Sequence, residues 1–228
     1  MTGVVCVIPA LDAASTVGGV IDGLRASLPR AAIVGIDDGS TDATGSIMRE
    51  RCDVSESFVE NRGKGAALRA AFAHAVGLGA TSIITIDADG QHDPGCAPSL
   101  VAALGDADIV VGARTRTGTA MPLRRRISNA LSSAAISAVA GRLLPDTQCG
   151  YRAIRREVLD AVSAVGDRYE FETDFIIRAA RGGFRITAVP IPTIYVPLEQ
   201  GGRSHFRECR DAVRVVATIV RHRMRPAS

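Results

Sequence analysis

Four short apolar runs set the terms on which this chain can fold: Val4–Ile8 (VVCVI), Ile33–Asp37 (IVGID), Ser82–Asp87 (SIITID) and Asp108–Gly112 (DIVVG). The last two are near-continuous Ile/Val segments, the pattern of strands buried on both faces. Helical periodicity fills the intervals at Val17–Ser27 (stopped by Pro29), Thr41–Arg51 and Lys64–Leu78. Such alternation predicts an α/β fold, a mostly parallel central sheet with helices on both faces. Ligands of these sheets bind outside the carboxyl ends of the strands. Function is therefore expected just after each run, at Pro9–Asp12, Asp37–Asp42, Asp87–Asp93 and Ala113–Arg114.

The second half reads differently. A long helix is predicted over Leu123–Leu143, then a loop over Pro145–Tyr151 and helices near Glu157–Val165 and Glu172–Arg181. An extended, Pro-punctuated stretch covers Ile186–Val196, and a last helix Phe206–Arg223. With no repeat, low-complexity segment or linker, all 228 residues are expected to form one domain, with residues 1–115 and 116–228 as its two halves.

Composition narrows the class. Five scattered cysteines without CxxC spacing argue for a reducing cytoplasm and against a disulfide scaffold or a zinc site. The start lacks a basic region ahead of its apolar run, so it does not read as a signal peptide. The charge-free stretch Ile127–Gly141 is too short and too rich in Ser and Ala to span a bilayer. Aromatic residues are only 4%, too few to interleave a basic surface as nucleic-acid stacking requires. Seven arginines against Glu208 and Asp211 make residues 201–228 strongly basic within a chain of net charge +3, a bias that favours anionic partners.

Chemistry concentrates in three stretches. ITIDADGQHDP (Ile84–Pro94) runs a strand into carboxylates. In an extended strand end Asp87 and Asp89 share one side, and Gln91 joins them if the extension persists past Gly90. Two or three oxygen ligands on an open edge suit Mg2+ or Mn2+, which keep waters and bridge to substrate phosphates. An acidic turn capping the next segment is the alternative. His92 and Asp93 are expected only to turn the chain. In IDDGSTDAT (Ile36–Thr44), Ser40 or Thr41 can cap a helix with Asp42 in its first turn. Asp38 is left over, placed to hydrogen-bond a base or ribose. NRGKGAALRAAF (Asn61–Phe72) sets Gly63, the chain's single lysine Lys64, and Gly65 at a helix start. Such an arrangement binds anions, so Lys64 is expected near a phosphate or a nucleotide. It is not a P-loop.

Together with IPALDAA, VVGAR, DTQCGYRAIRREVL and the VPIPTIY to GGRSHFR stretch, these motifs occur in the order seen in family 2 glycosyltransferases. The chain most closely resembles the dolichyl- or polyprenyl-phosphate mannosyl- and glucosyltransferase branch, to about Val215. The joint occurrence of DDGSTD, RGKG and DADGQHDP is far more specific than any one of them. The resemblance implies the GT-A fold and a nucleotide-sugar donor, GDP-mannose or UDP-glucose, bound with Mg2+ or Mn2+. Pro9, Leu11 and Asp12 match the family's first nucleotide loop, and Asp38 its carboxylate facing the nucleoside. Asp87 and Ala88 match donor contacts, Asp89 and Gln91 the metal ligands, and Arg114 an arginine near the reacting phosphates. Arg124 and Ser128 resemble the pair that holds the acceptor phosphate. The chain departs from the family pattern at Ala13–Ala14, where an acid is usual, and at Arg203–Ser204–His205, where a Ser-Lys pair is usual after the arginine.

The resemblance implies an inverting, in-line displacement in which the metal, Arg114 and Arg203 neutralise the departing nucleoside diphosphate. A phosphate acceptor is already ionised and needs no strong base, whereas a hydroxyl needs a carboxylate, for which Glu170, Glu172 and Asp174 are candidates. A polyprenyl phosphate acceptor implies peripheral attachment at the inner face of a membrane. Arg207, Arg210, Arg214 and Arg221 form one stripe of the last helix, opposite Val216, Ile219 and Val220. A transferase of soluble acceptors and a non-catalytic nucleotide-sugar-binding subunit are the alternative readings.

Overall fold

Side-by-side pairing of the apolar runs builds the expected sheet, seen in a computed structural model that describes residues 3–114, 123–144, 146–192, 194 and 208–224, with backbone alone for 123–128 and 208–210. Strands β1 (Val4–Ala10), β2 (Ala32–Asp37), β3 (Val54–Ser57), β4 (Ser82–Thr85), β5 (Ile109–Arg114), β6 (Arg152–Arg155) and β7 (Ile186–Ile191) lie in the order β3-β2-β1-β4-β6-β5-β7. All pairings are parallel except those of β6, which runs antiparallel between β4 and β5. The carboxyl ends of β1, β2, β4 and β5 therefore open on one edge, and the amino end of β6 enters there, with Arg152 opposite both Thr85 and Val111.

Helices α1 (Val17–Ser27), α2 (Thr44–Arg51), α3 (Lys64–Gly77), α4 (Ala97–Ala103), α5 (Leu123–Ala140), α6 (Arg156–Ala161), α7 (Glu170–Arg181) and α8 (Glu208–Met224) complete the described chain. Period-two alternation divides the sheet between two cores. Cys6, Ile8 and Ile84 face one side, with Val20, Ile21 and Leu24 of α1; Val5, Val7 and Ile83 face the other, with Ala67, Ala71 and Ala75 of α3. Each fully buried Ile contributes about 1.5–3 kcal/mol of transfer free energy. Close packing needs small residues: a Cβ at Gly35 of β2 would lie 2.9 Å from the Met48 side chain of α2.

Several boundaries shift from expectation. The helix predicted from Thr41 begins at Thr44, because Ser40 and Thr41 do not cap it; they bond Asp12 instead. The long helix ends at Ala140, and α6 stops at Ala161. Three elements, β3, α4 and β6, went unread. β6 (RAIR) hides its strand character behind Arg152, whose buried guanidinium donates to the carbonyls of Cys149 and Thr147, both at 2.9 Å. The stretch beyond Ile194 and the start of the last helix, residues 206–207, lie outside the described residues.

Candidate active site

The acid cluster is not built as an extended strand end. Strand pairing by β4 stops at Thr85, Ile86 N still donates to Val7 O at 3.2 Å, and the chain then turns at Ala88–Gly90 with Gly90 at φ 71°. Asp87 and Asp89 consequently have different surroundings. Asp87 Oδ1 lies 2.7 Å from Lys64 Nζ, and the same ammonium lies 2.8 Å from Glu172 Oε2. Arg152 Nη1 stands 3.8 Å from the other Glu172 oxygen. Burial alone would raise the Asp87 carboxyl and lower the Lys64 ammonium, but their mutual attraction outweighs it and drives each the other way.

Asp89 has no such partner among the described residues. Its Oδ1 accepts only the Gln91 amide, at 3.0 Å. Burial, and then the neighbouring Asp87 charge, push its carboxyl up to about 6. Ala88 is buried, and its carbonyl accepts the Thr16 hydroxyl at 2.6 Å.

Other parts of the chain close on this pair. A Cβ at Gly150 would lie 2.6 Å from Asp87 Oδ2, so a side chain there would have to displace the carboxylate from its present position. His92 does more than turn the chain. It is 6% exposed, with Nε2 4.0 Å from Asp87 Oδ2, its ring tilted against Tyr151, and Nδ1 buried without a partner among the described residues. Burial lowers its pKa and favours the neutral ring. Asp93 does turn the chain, accepting Gly95 N at 2.8 Å to cap a single 3-10 turn, Pro94–Cys96.

Arg114, at the end of β5, makes a two-pronged pair with Asp146: Nε to Oδ2 and Nη2 to Oδ1, both 2.8 Å. Burial works against the guanidinium's charge, and Asp146 more than offsets it.

The first two strand ends are zipped together. Pro9 is buried within β1, Leu11 is half-buried, and Asp12 is exposed at φ 44°. Asp12 N donates to Ser40 Oγ at 2.9 Å, and Asp12 Oδ1 accepts Thr41 N at 2.8 Å. At Ala13–Ala14, where the acid is missing, Ala14 N donates to Asp42 Oδ2 at 3.1 Å. Asp38 is buried, and its oxygens accept Asn61 Nδ2, Arg62 N and Gly63 N at 2.8–3.1 Å. Burial raises its carboxyl, with the loop amides opposing. The glycine-rich stretch thus gives its amides to Asp38, and its glycines to close approach: a Cβ at Gly65 would lie 2.6 Å from Phe171 Cβ.

Two of the three candidate bases are paired with cations, and the third, Glu170, keeps its Oε2 buried without a partner among the described residues. Glu172 pairs with Lys64 and Arg152. Glu170 Oε1 takes the amides of Asp167 and Arg168 at 3.3 and 3.4 Å. Asp174 is fully buried, accepting Val165 N at 2.9 Å and Arg178 Nε at 2.6 Å, with His222 Nε2 at 2.7 Å. The side chains of Arg124 and Ser128, at the start of α5, and the whole of Arg203–Ser204–His205 lie outside the described residues. Sequence reasoning did not find Asp146, Gly150 or Arg152 as parts of this site. All fall within the quoted DTQCGYRAIRREVL motif, but no spacing rule links that motif to Arg114 or Asp87.

The family model described as Glycosyl transferase family 2 matches residues 5–163. An undecaprenyl-phosphate mannosyltransferase of Micrococcus luteus is 31% identical over 201 residues, covering 82% of this chain and 82% of its own length. A polyprenol monophosphomannose synthase of Mycolicibacterium smegmatis is 31% identical over 198 residues, 81% of this chain and 75% of its own. Glucosyl-3-phosphoglycerate synthase of Mycobacterium tuberculosis, solved with Mn2+, uridine diphosphate and phosphoglyceric acid, is similar in fold, with a TM-score of 0.73 at 23% identity over 99% of this chain and 80% of its own.

Proposed function

The chain belongs to glycosyl transferase family 2, has the GT-A fold and is a glycosyltransferase; from that premise we propose that it moves a hexose, mannose or glucose, from a nucleoside-diphosphate sugar to a polyprenyl-phosphate-type acceptor. The observation that carries the reading is the distribution of charge around the site. Lys64 and Arg152 take up Asp87 and Glu172, Asp174 is held by Arg178 and His222, and of the two aspartates that follow β4 it is Asp89 that stands short of a cation among the described residues. With Glu172 and Asp174, two of the three candidate carboxylate bases, already tied up by cations, the site suits an acceptor that is itself an anion.

The same imbalance fits a divalent ion. Among the described residues no group of three or more His, Cys, Asp or Glu could close around a metal by itself. Mg2+ and Mn2+ are commonly held by one or two carboxylates with substrate phosphates and waters completing the shell. Asp89 and Gln91 would hold the ion, which when bound would offset negative charge on the diphosphate.

The remaining roles belong to the chain itself. Pro9, Leu11 and Asp12 with Asp38 and its loop would frame the nucleoside, and Asp87 and Ala88 the donor sugar side. Lys64 would hold Asp87 ionised and oriented rather than meet the phosphates as a free cation. Arg114, its fork fixed by Asp146, would face the leaving diphosphate together with Arg203, so that charge growing there meets preorganised cations. Arg124 and Ser128 would hold the acceptor phosphate for attack in line at the anomeric carbon, with inversion. No helix among the described residues is long and apolar enough to cross a membrane. The enzyme would work in the cytoplasm, peripheral at the inner face.

The test is a thermal-shift panel of nucleotide-sugars with Mn2+, followed by transfer to a short-chain prenyl phosphate detected by mass spectrometry. A true donor raises the melting temperature by mass action, by about 2.7 kcal/mol of stabilisation at a hundredfold excess over Kd. Asp89→Ala should abolish both responses. Transfer to a soluble sugar hydroxyl but never to a prenyl phosphate would overturn the acceptor assignment.

A further inference from the structure

Helix α8 carries two apolar faces, and the fold uses one. Val215, Thr218 and His222 are buried and Ile219 is half-buried against the domain. The helix is pinned there by His222, whose Nε2 lies 2.7 Å from the buried Asp174 of α7, and by Arg181, which donates to the His222 carbonyl at 2.8 Å. On the other side Val213, Val216, Val220 and Met224 are 67, 56, 48 and 79% exposed. Steps of three, four and four residues align them in one stripe along the helix, with exposed Ala217 between. Arg214 and Arg221 flank the stripe on one edge and Arg223 on the other, all exposed. The arginines border the apolar stripe rather than oppose it, and Ile219 belongs to the inner face. Arg207 and the side chain of Arg210 lie outside what is described.

Contiguous apolar surface of this kind marks an interaction site. Framed by arginines, it matches a helix lying in the plane of a lipid interface. We propose that the outward face of α8 docks the protein on an anionic bilayer surface, with the Val/Met stripe at the acyl boundary and Arg214, Arg221 and Arg223 on lipid phosphates. A second copy of this chain fits less well. Two-fold pairing through the stripe sets arginine against arginine whichever way the helices run. Asp211, the acid of α8 whose side chain is described, is buried and stands 3.5 Å from Arg214. The surface is tied to the site through α7, where Asp174 receives His222 and Glu172, two residues earlier, reaches Lys64. The inference rests on the polyprenyl-phosphate reading only for why the enzyme would meet a membrane.

Flotation of the full chain with phosphatidylcholine vesicles, with and without phosphatidylglycerol, tests it. The wild type should float with the anionic vesicles, and added salt should weaken binding. A Val216→Ser/Val220→Ser/Met224→Gln variant and an Arg221→Gln/Arg223→Gln variant, which leaves the Arg214–Asp211 pair in place, should each lose about tenfold or more in partitioning. Both should keep the wild-type melting temperature, because every altered side chain is exposed. Equal binding to neutral and anionic vesicles, or a stripe variant that floats like the wild type, would overturn the proposal. So would a wild-type dimer in sedimentation equilibrium that the stripe variant dissolves, since that assigns the face to a second copy. Transfer to a water-soluble, short-chain prenyl phosphate is read separately and should survive in both variants. Its absence in the wild type would strike the acceptor reading and leave the vesicle result standing.

Discussion

Asp89 combines two unfavourable circumstances, partial burial and the neighbouring Asp87 charge, and its carboxyl rises to about 6 from an ordinary value near 3.9. A raised carboxyl favours folding in its protonated form, a contribution complete below the ordinary value and lost as pH rises through about 6. Asp89→Asn cannot ionise and escapes that loss. In metal-free buffer the variant should therefore melt above the wild type, by a margin that widens from pH 5 to pH 7.5. Each kcal/mol relieved is worth about 2–4 °C in a chain of this size. Thermal melts across that range decide the point, and parallel curves would show that Asp89 is not strained. Position at this scale was legible: Asp38, Asp87, Asp89 and Arg114 stand at or just beyond the carboxyl ends of strands, as the apolar runs implied, and Lys64 joins them from the start of α3. Their partners were not. Nothing local in RGKG reveals that its lysine meets Glu172, or in VVGAR that its arginine meets Asp146.

Those pairings matter most between elements. Lys64 begins α3, Asp87 follows β4 and Glu172 lies in the first turn of α7, so one half-buried ammonium fastens three elements at the site. Removing it should do more than loosen a ligand. Lys64→Met leaves two carboxylates facing each other and should cost about 3–5 kcal/mol in urea unfolding. Glu172→Gln should cost less, because Lys64 keeps Asp87. The double variant should be less destabilised than the sum of the singles by more than about 1 kcal/mol. Strict additivity would mean that the two side chains do not interact. The elements most readily foreseen, such as α1, show their buried positions as local periodicity. β3 and β6, four residues each, were missed because short strands carry too few alternations to stand out, and β6 places a charged side chain inward.

At the scale of the whole molecule, one sheet draws its strands from both residues 1–115 and residues 116–228. β6 lies between β4 and β5, and β7 extends the sheet beyond β5, so the second half supplies strands that the first needs. One calorimetric transition with matching van't Hoff enthalpy is the expected outcome, and residues 1–115 alone should not fold, since β4 and β5 would keep open edges. Two resolved transitions would sink this expectation. Alternating apolar runs and helical periods determined the α/β class and the edge of the sheet on which the motifs gather, because both are local patterns that water alone can sort. The motifs after the strands determined the family, since their joint order is specific. Tertiary structure decided which carboxylate is neutralised and which is left wanting a cation, which glycine makes room for Asp87, and which face of α8 remains uncovered. Those outcomes depend on distances between residues remote in sequence, where desolvation and Coulomb attraction are set by geometry rather than by composition.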